Sequence, residues 1–463
     1  MTGIDEIYLP ELNPFEPERY ALIDLDAVES NVRHIKSLIG DRSLIAIIKA
    51  DAYGHGAPQI ARAALAAGAD MLGLVHVAEA IELRDWGIDA PIIAWLHTPH
   101  TDFMRAILRD IALGASGWDL DAIARAAHSV GMRARVHLKL DTGLGRNGST
   151  LEDWPKLVQR ALKYQEAGLI SVEGIFSHLA VADEPWNAET TVQIARLLEA
   201  VRDAEELGLD REKLTVHLAN SPATLAASIP SHYGELALED AVRCGLALYG
   251  LSPFYPHHSA EELGLKPAMT VGTFVSAVKE VPAGQGVSYG LRYQTEKPTT
   301  LALIPMGYAD GVPRVAENAP VRLYPAGAPA RTVRVVGRIA MDQMVVDLGE
   351  PGLSDPSYGY LGARAVLFGA GEDPAVEEWA DAAGTINYEI VTRISSRVER
   401  IYTGGSEHSE ELLYDPIQDE SPIDEEFLAA WSEWHDEEFL AAWSERHQED
   451  NTSDSDTEST PNA

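Results

Sequence analysis

The sequence has a single cysteine, half as many basic residues as acidic ones, and no long apolar run. The one cysteine, Cys244, excludes an intrachain disulfide and a cysteine-rich metal site. No run reaches the roughly 18 apolar residues that a membrane helix needs. The first residues, Met1 to Glu6, contain no basic segment that leads into an apolar one. These absences predict a cytoplasmic protein without a secretory signal, a membrane partner or a metal site.

The excess of acidic residues is concentrated at one end of the chain. The 36 Lys and Arg residues face 72 Asp and Glu residues, a formal net charge of −36. Residues 405–463, the acidic tail, hold 19 acidic residues and one arginine, so they account for −18 of it. The remaining −18 leaves no basic patch that could neutralise phosphates. Nucleic acid is therefore not expected as a partner.

The acidic tail contains an internal duplication, because Asp424–His435 is followed directly by the similar unit Asp436–His447. In the first unit Phe427, Trp431 and Trp434 have the spacing of one face of an amphipathic helix. A helix this short is marginal in water on its own. We expect a disordered, solvated tail; the alternative is a docking element for an unknown partner or for the protein's own surface.

Apolar runs alternate with helical stretches through the first 265 residues, and many of the helical stretches end at a glycine. Eight runs are predicted strands, and eight parallel strands with intervening helices close a (β/α)8 barrel. An open doubly wound sheet is the alternative, but no Gly-x-Gly-x-x-Gly opens its first helix. The eight runs are Leu44–Ile48, Met71–Val75, Pro91–Leu96, Ile111–Ala115, Ala134–Leu140, Leu169–Phe176, Leu214–Leu218 and Ala241–Leu248.

Shorter β-rich runs, separated by proline and glycine, follow Lys266, with Val376–Ala383 as the exceptional helical stretch. These predicted strands are Val271–Val278, Thr300–Ile304, Arg331–Val336, Met344–Leu348 and Ala365–Phe368. The predicted fold class is α/β: an N-terminal segment at 1–20, a TIM-type (β/α)8 barrel at 21–265, a C-terminal mainly-β domain at 266–404 and a disordered acidic tail at 405–463. Before the barrel runs, Tyr20–Leu25 is a predicted strand, and Asp26 is the predicted cap of the helix that follows.

Lys49 directly follows the apolar run Leu44–Ile48 and precedes a turn rich in glycine. Burying an ammonium group without a partner is costly, so this amine must reach water, pair, lose its proton or be used in a covalent bond. A lysine at the end of a strand usually points into solvent. The alternative is a Schiff-base lysine at the open end of a barrel strand, where α/β barrels place catalytic groups.

The segment Lys49-Ala-Asp-Ala-Tyr53-Gly-His-Gly resembles the pyridoxal-phosphate attachment segment of the alanine racemase family. Further segments match the family pattern in order from Ala21 to about Tyr402. They are Lys139–Gly148, Ile175–His178, Ala219–Pro222, Arg243–Leu246, Val287–Gly290, Gly337–Gln343 and Thr385–Glu389.

This resemblance implies pyridoxal 5′-phosphate as the cofactor and alanine as the substrate, with D-alanine supplied for cell-wall peptidoglycan. It implies that Lys49 forms the imine and is one of two acid/base groups, and that Tyr289 is the other, on the opposite face. The implied residues at the cofactor phosphate are Tyr53, Ser221, Gly245, Leu246 and Tyr388, and Asn220 is a further implied cofactor-binding residue.

The resemblance also assigns the remaining polar positions. Arg243 faces the ring nitrogen with His178 behind it, and Arg146 lies near the phenolic oxygen and the substrate carboxylate. The backbone of Met341 receives that carboxylate, with Asp342 beside it. Lys139 stands where the family often carries a carbamylated lysine that steadies the arginine, here Arg146. Tyr308 resembles the entrance tyrosine that favours small substrates.

Racemisation needs one base on each side of a flat carbanion, because the α-proton leaves from one face and returns to the other. Lysine and tyrosine side chains have ordinary pKa values of about 10, so burial or a positive neighbour must tune them. An arginine cannot act as an acid at the ring nitrogen. Arg243 therefore keeps the cofactor a weaker electron sink and disfavours transamination.

The resemblance further implies a head-to-tail homodimer, because in the family the tyrosine base and the Met-Asp segment enter the site from the other subunit. Two other functions remain to be weighed. A fold-related amino-acid decarboxylase is disfavoured by Arg243 and Tyr289. A non-catalytic cofactor carrier built from the barrel alone would lack the β domain.

Overall fold

The structure is a computed structural model that describes residues 17–184, 187–226 and 239–406. Eight parallel strands form a closed barrel, as the alternation of apolar runs predicted. After a first strand outside the barrel, β1 (Arg19–Asp24), the barrel strands are β2 (Ser43–Ile47), β3 (Met71–Leu74), β4 (Ile92–Ala94), β5 (Ile111–Ala115), β6 (Ala134–Lys139), β7 (Ile170–Phe176), β8 (Thr215–His217) and β9 (Ala241–Cys244). These strands are buried over nearly their whole length, as expected for a parallel sheet covered on both faces.

Helices cover the outside of the barrel, and each packs an apolar stripe on it. The first helix, Leu25–Ile39, buries Val28, Val32, Ile35 and Ile39, which share one face, and it ends at Gly40. The other helices of this domain are Ala57–Ala66, Val77–Asp85, Phe103–Leu108, Trp118–Val130, Trp154–Glu166, Glu189–Glu206 and Ser221–Leu225. The segment Lys49–Gly54 is also helical in its hydrogen bonding but is left-handed, as described below.

The C-terminal part is mainly β, as predicted, and its strands are β10 (Met269–Phe274), β11 (Ala277–Val281), β12 (Gly286–Val287), β13 (Tyr293–Gln294), β14 (Thr299–Ile304), β15 (Pro320–Tyr324), β16 (Arg331–Val335), β17 (Met344–Asp347), β18 (Arg364–Phe368) and β19 (Glu399–Thr403). All of these except β12 and β13, which form a hairpin, belong to a nine-stranded sheet that also includes β1. Two helices, Val376–Ala383 and Asn387–Arg393, accompany it.

The first strand of the chain lies in this nine-stranded sheet. β1 pairs antiparallel with β10 and parallel with β19. The N-terminal strand thus joins a sheet whose other members come from residues 269–403. The barrel begins only with β2.

The predicted cap of the first helix is wrong by two residues. Asp24, the last residue of β1, caps the helix, because its Oδ1 accepts a hydrogen bond from the Ala27 amide at 3.0 Å. Asp26 instead accepts from the Gly405 amide at 3.0 Å, and Glu29 accepts from the Ser406 amide at 2.7 Å. The two carboxylates therefore fix the end of the described β domain on the helix.

Within the three described ranges no helix combines the length and apolar character that crossing a bilayer requires. The duplicated units of the acidic tail lie outside the described residues.

Candidate active site

Lys49 lies at the carboxyl end of β2, at the start of a left-handed turn. Four consecutive residues that are not glycine, Ala50 to Tyr53, have φ between 52° and 56°. This conformation costs roughly 1–2 kcal/mol per residue, so surrounding contacts must hold it. The Ala50 amide donates to Glu79 Oε1 at 2.7 Å, and the Ala57 amide donates to Asp51 Oδ1 at 2.7 Å.

Glycines let this turn lie directly against the β domain. A Cβ on Gly54 would approach the Val391 carbonyl oxygen to 2.7 Å, and one on Gly56 would overlap the Tyr402 hydroxyl at 1.9 Å. The Gly54 carbonyl accepts from Arg400 Nε at 3.1 Å. The β domain thus helps to hold the strained turn, which is typical of functional sites.

The turn delivers Tyr53 into a buried aromatic group. Its ring lies 4.7 Å from that of Tyr249 and 6.1 Å from that of Tyr388. The Tyr249 hydroxyl donates to the Ile47 carbonyl at 2.8 Å. Tyr53 and Tyr388 both line the pocket into which Lys49 opens.

This lysine pocket has a volume of about 150 Å³. Four basic side chains line it, and within the described ranges no acidic side chain does. A pocket of this charge is suited to an anionic ligand. Its polar lining consists of Lys49, Tyr53, Lys139, Arg146, His178, Asn220, Ser221, Arg243 and Tyr388, so the structure brings together most of the residues that the sequence singled out.

One end of the pocket is made of small groups and backbone amides. Ser221 Oγ accepts from the Gly245 amide at 3.0 Å and from the Ala247 amide at 3.4 Å. Asn220 caps the short helix that begins at Ser221. A Cβ on Gly245 would lie 2.4 Å from the Tyr53 hydroxyl, so only glycine leaves room for the Tyr53 side chain here.

Substituting Gly245 tests whether this end of the pocket is a ligand site. Gly245→Ala places a methyl group against the Tyr53 hydroxyl, and we expect the affinity for pyridoxal phosphate to fall by at least about tenfold, since overpacking costs roughly 1–3 kcal/mol. Cofactor titration followed by absorbance measures the affinity. Gly131→Ala, at a helix end with open space around its Cβ, is the control, and equal cofactor affinity of the two variants would contradict the assignment.

Arg243 is buried on β9 and held by backbone carbonyls. Its guanidinium donates to the carbonyls of Ser177 at 2.6 Å, His217 at 2.8 Å and Leu218 at 3.0 Å. Nε has no hydrogen-bond partner among the described residues, and Arg243 lines the pocket. Burial lowers the pKa of Arg243 to about 10, so the group stays charged at neutral pH.

A pair of buried histidines supports this arginine, and sequence reasoning missed both. Arg243 Nη1 contacts His217 Nδ1 at 2.9 Å, and His217 Nε2 contacts His137 Nδ1 at 3.0 Å. The predicted neighbour, His178, lies farther away, with its Nδ1 3.4 Å from Nη2. The only signal in the sequence was a histidine inside each of two barrel strands, and this does not reveal which side chains meet inside the barrel.

Burial makes the two lysines of the pocket less basic. It lowers the pKa of Lys139 to about 7, helped by the positive charges of Arg243 and Arg146. Lys139 Nζ donates to Asn147 Oδ1 at 2.6 Å. The pKa of Lys49 is also lowered, by burial and then by Arg146, whereas Glu79 opposes this. A larger share of the Lys49 amine is therefore neutral, as a nucleophile or base must be.

The other predicted site residues form a separate group, the β-domain cluster, which consists of Tyr289, Tyr308, Met341 and Asp342. Tyr289 is 70% exposed and Met341 is 53% exposed. The Ala309 amide donates to the Met341 carbonyl at 2.9 Å, so the Tyr308 loop lies on the Met341 segment. In the described chain none of the four lines the lysine pocket.

The buried histidines predict that acid weakens the fold well before carboxylates are protonated. Burial lowers the pKa of His55 and His97 to about 4 and that of His137 to about 3, from 6.5. Below pH 6.5 the unfolded chain binds protons that the folded chain refuses. The free energy of unfolding is therefore highest above pH 6.5 and decreases as the pH falls towards 4, by roughly 2–3 kcal/mol per buried histidine.

Urea unfolding of the full chain at a series of pH values between neutral and about 4.5 measures this loss. His137→Gln should flatten the dependence, whereas His128→Gln, at an exposed position, should leave it unchanged. A stability that is constant over this range would contradict the prediction.

The lysine at the end of β2 is made less basic by burial, and its pocket has an excess of positive charge with backbone amides at one end. Such a pocket is suited to a phosphorylated aldehyde. The fold and the site thus define the class of α/β-barrel enzymes that carry such a cofactor on a lysine.

Comparison with known proteins narrows this class. Residues 23–253 match the family model "Alanine racemase, N-terminal domain", and residues 268–402 match "Alanine racemase, C-terminal domain". The alanine racemase of Beutenbergia cavernae is 45% identical over 389 residues, which cover 83% of this chain and 98% of that protein. The chain belongs to the alanine racemase family, whose members are pyridoxal-phosphate-dependent enzymes that interconvert L- and D-alanine.

Solved structures agree with this assignment. Alanine racemase from a D-cycloserine-producing Streptomyces lavendulae is 47% identical, with a TM-score of 0.78, and the match covers 85% of this chain and 99% of that one. The Bacillus anthracis enzyme with bound L-Ala-P is 34% identical, with a TM-score of 0.71, over 85% of this chain and 96% of that one. The family and the fold inferred from the sequence are thus confirmed.

Proposed function

We propose that this chain racemises alanine with two acid/base groups, Lys49 of one subunit and Tyr289 of a second copy. The observation that carries the proposal is the composition of the lysine pocket, which has Lys49 at the carboxyl end of β2 and lacks the β-domain cluster. A racemase needs a second base on the opposite face. Tyr289, exposed on the β12–β13 hairpin, is available to supply it.

Pyridoxal phosphate, when bound, withdraws electrons from the α-carbon of the amino acid and so acidifies its α-hydrogen. Lys49 Nζ would hold the cofactor covalently at rest. During turnover its neutral amine takes up a proton on one face, and its ammonium form returns one. Burial and the Arg146 charge keep this amine less basic. The Tyr289 hydroxyl exchanges a proton on the other face.

The remaining pocket residues bind and orient. We assign the phosphate to Tyr53, Ser221, Tyr388 and the backbone at Gly245 and Leu246, because they line the end of the pocket where the Gly245 and Ala247 amides meet Ser221. Asn220 lines the same end as a further cofactor residue. Arg243 directs Nε to the ring nitrogen, while its carbonyl contacts and His217 fix its orientation. His178 stands beside it.

Alanine is the substrate that we assign to the remaining space. The Bacillus anthracis relative was solved with bound L-Ala-P, and the cations here are suited to the carboxylate of a small amino acid. Arg146 and the Met341 backbone would receive the carboxylate, with Asp342 beside them. Asp342 is fixed by Arg397 at 2.8 Å. Tyr308, on the adjoining loop, would limit the size of the side chain.

We also propose a homodimer with two composite sites, in which each β-domain cluster completes the lysine pocket of the other copy. Exposed apolar side chains on the same domain support it, since Leu291 is 59% exposed and Val315 is 64% exposed. Exposed groups of this kind are common at interfaces between subunits. In this arrangement a monomer has no second base and is inactive.

Lys139 remains our candidate for carbamylation. Its lowered pKa of about 7 leaves much of the amine neutral, the form that reacts with carbon dioxide, and a carbamate would bring a negative charge next to Arg146.

Beyond the site, we propose domains at 21–265 and 266–404, with 1–20 before them and the acidic tail at 405–463 after them. A role in peptidoglycan supply, a cytoplasmic location and a partner for the tail complete the proposal.

The activity is tested with the purified, cofactor-saturated full chain. Incubation with pure L-alanine and chiral chromatography of the product should give equal amounts of the two enantiomers, and D-alanine should give the same mixture. Unchanged alanine together with carbon dioxide release from L-lysine or L-ornithine would identify a decarboxylase and overturn the proposal.

A further inference from the structure

A second and larger cavity lies where the barrel domain meets the β domain. Its volume is about 590 Å³, against about 150 Å³ for the lysine pocket. Leu251, Tyr255 and Leu265 line it from the side of the barrel domain, and Phe368 and Val376 line it from the β domain. It shares no lining residue with the lysine pocket. Its apolar walls offer a surface for the body of a small molecule.

The cavity also carries an excess of negative charge. Four carboxylates line it, those of Asp24, Glu261, Asp373 and Glu377, against one lysine, Lys266. In the described part of the chain none of the four forms an ion pair. Glu377 is nearly buried, at 8% exposure, and its Oε1 accepts from the neutral amide of Asn387 at 2.9 Å. This charge attracts a cation.

One wall of the cavity contains His55, a fully buried histidine. Its Nδ1 lies 3.0 Å from the carbonyl oxygens of Ala52 and Tyr53, so Nδ1 carries the proton and Nε2 is an acceptor. Nε2 is buried and has no hydrogen-bond partner among the described residues. Burial lowers the pKa of His55 to about 4, which keeps the ring neutral at physiological pH. Buried acceptors are nearly always satisfied, so this one lacks a donor.

We propose that this cavity is a second ligand site, which binds a small organic cation with an N–H donor and an apolar body. The donor reaches His55 Nε2, the positive charge is balanced by Glu377 and the carboxylates at the rim, and the apolar body packs on Phe368 and Val376. Amines and amidines that carry an aromatic or aliphatic group have this chemistry.

The site is in contact with the machinery around the cofactor. The His55 ring stacks on Tyr249 with centroids 4.5 Å apart, and Tyr249 packs on Tyr53. His55 also holds two carbonyls of the left-handed turn after Lys49. This step rests on the proposed phosphate role of Tyr53. An occupant that fixes His55 stabilises the same turn that the cofactor needs, so occupancy and cofactor binding should favour each other.

Benzamidine is a suitable probe, because it combines an aromatic body with a charged N–H donor. Isothermal titration of the cofactor-loaded full chain at constant ionic strength should show saturable binding of benzamidine, at least about tenfold weaker binding of the neutral amide benzamide, and none of benzoate. A crystal soaked with benzamidine should place a nitrogen within hydrogen-bonding distance of His55 Nε2. Release of pyridoxal phosphate should be slower when benzamidine is bound.

Two neighbouring glutamates provide a matched pair of variants. Glu377→Gln should weaken benzamidine binding by about tenfold, whereas Glu378→Gln, which alters a residue that does not line the cavity and whose carboxylate pairs with Arg334 at 3.7 Å, should leave it unchanged. Equal affinities of these variants, binding at another place, or no saturable binding would overturn the second site. An unchanged release rate would overturn its connection with the cofactor. Because binding is followed by heat, a chain that racemises alanine yet ignores benzamidine refutes only this inference.

Discussion

Replacing Lys49 with alanine is expected to abolish racemisation and the covalent attachment of the cofactor together. The amine is the only lysine nitrogen in the described pocket besides Lys139, and burial makes it less basic. Removal of an acid/base group costs about 10²–10⁴-fold in rate, and loss of the covalent anchor adds to this. Activity should therefore fall by at least roughly 10⁴-fold.

Borohydride reduction followed by mass spectrometry of the peptides measures the attachment. In the parent chain the reduced cofactor should be on the peptide that contains Lys49, and in Lys49→Ala no peptide should carry it. Lys156→Ala is the control, since this exposed lysine pairs only with Asp153 within the described chain, and it should keep full activity and the label at position 49. A label on Lys139 in the parent chain would contradict the assignment.

Replacing Tyr289 with phenylalanine is expected to separate the two directions of proton transfer. The phenol that serves one face is removed, whereas Lys49 still serves the other. Abstraction of the α-hydrogen from L-alanine should fall by roughly 10²–10⁴-fold, and abstraction from D-alanine should fall far less. Overall kcat/KM must fall equally in both directions because the equilibrium constant is one, so racemisation rates cannot show this difference.

Exchange of the α-hydrogen in deuterated water shows it directly, since each enantiomer can exchange without being converted. In Tyr289→Phe, D-alanine should gain deuterium much faster than L-alanine. Tyr358→Phe, at another exposed tyrosine of the β domain, is the control and should exchange both enantiomers as the parent chain does. Equal losses for the two enantiomers in Tyr289→Phe would contradict a two-base division of labour.

The sequence predicted the barrel well because its strands are simple to read. Each strand is an apolar run of a few residues, as in Ile111–Ala115. A helical stretch, in which apolar residues recur every three to four positions, separates most strands from the next. The β domain was harder. Pro320–Tyr324 begins with a proline, and Glu399–Thr403 has only two apolar or aromatic side chains, Ile401 and Tyr402. Sequence reasoning missed both strands. Short strands of this kind gain their stability from pairing partners distant in the chain.

Other features depend on contacts that a single sequence does not reveal. The strand Arg19–Asp24 was predicted, but its place in the nine-stranded sheet depends on pairing with β10 and β19, about 250 and 380 residues away. In the left-handed turn after Lys49, Ala50, Ala52 and Tyr53 ordinarily prefer a right-handed backbone. Contacts with the surrounding structure therefore impose this turn. The His137–His217 pair joins two strands across the barrel interior.

The predicted site residues fall into two groups, those in the lysine pocket and those in the β-domain cluster. Most of the residues recognised by resemblance gather in one pocket, because five of the matched segments lie at the carboxyl ends of barrel strands and Tyr388 reaches the same pocket from the helix Asn387–Arg393. Tyr289, Met341 and Asp342 lie elsewhere on the surface of the same chain. In the proposed homodimer, they contribute to the site of the other copy.

The central claim, that each site combines Lys49 of one subunit with Tyr289 of another, is tested most directly by mixing two inactive variants. Lys49→Ala and Tyr289→Phe chains are unfolded together, refolded with cofactor and assayed with L-alanine. A mixed dimer has one site with both bases intact and one with neither, so random pairing should restore about a quarter of the parent activity. No recovery, with mixed dimers shown to form, would mean that each site is built from a single chain.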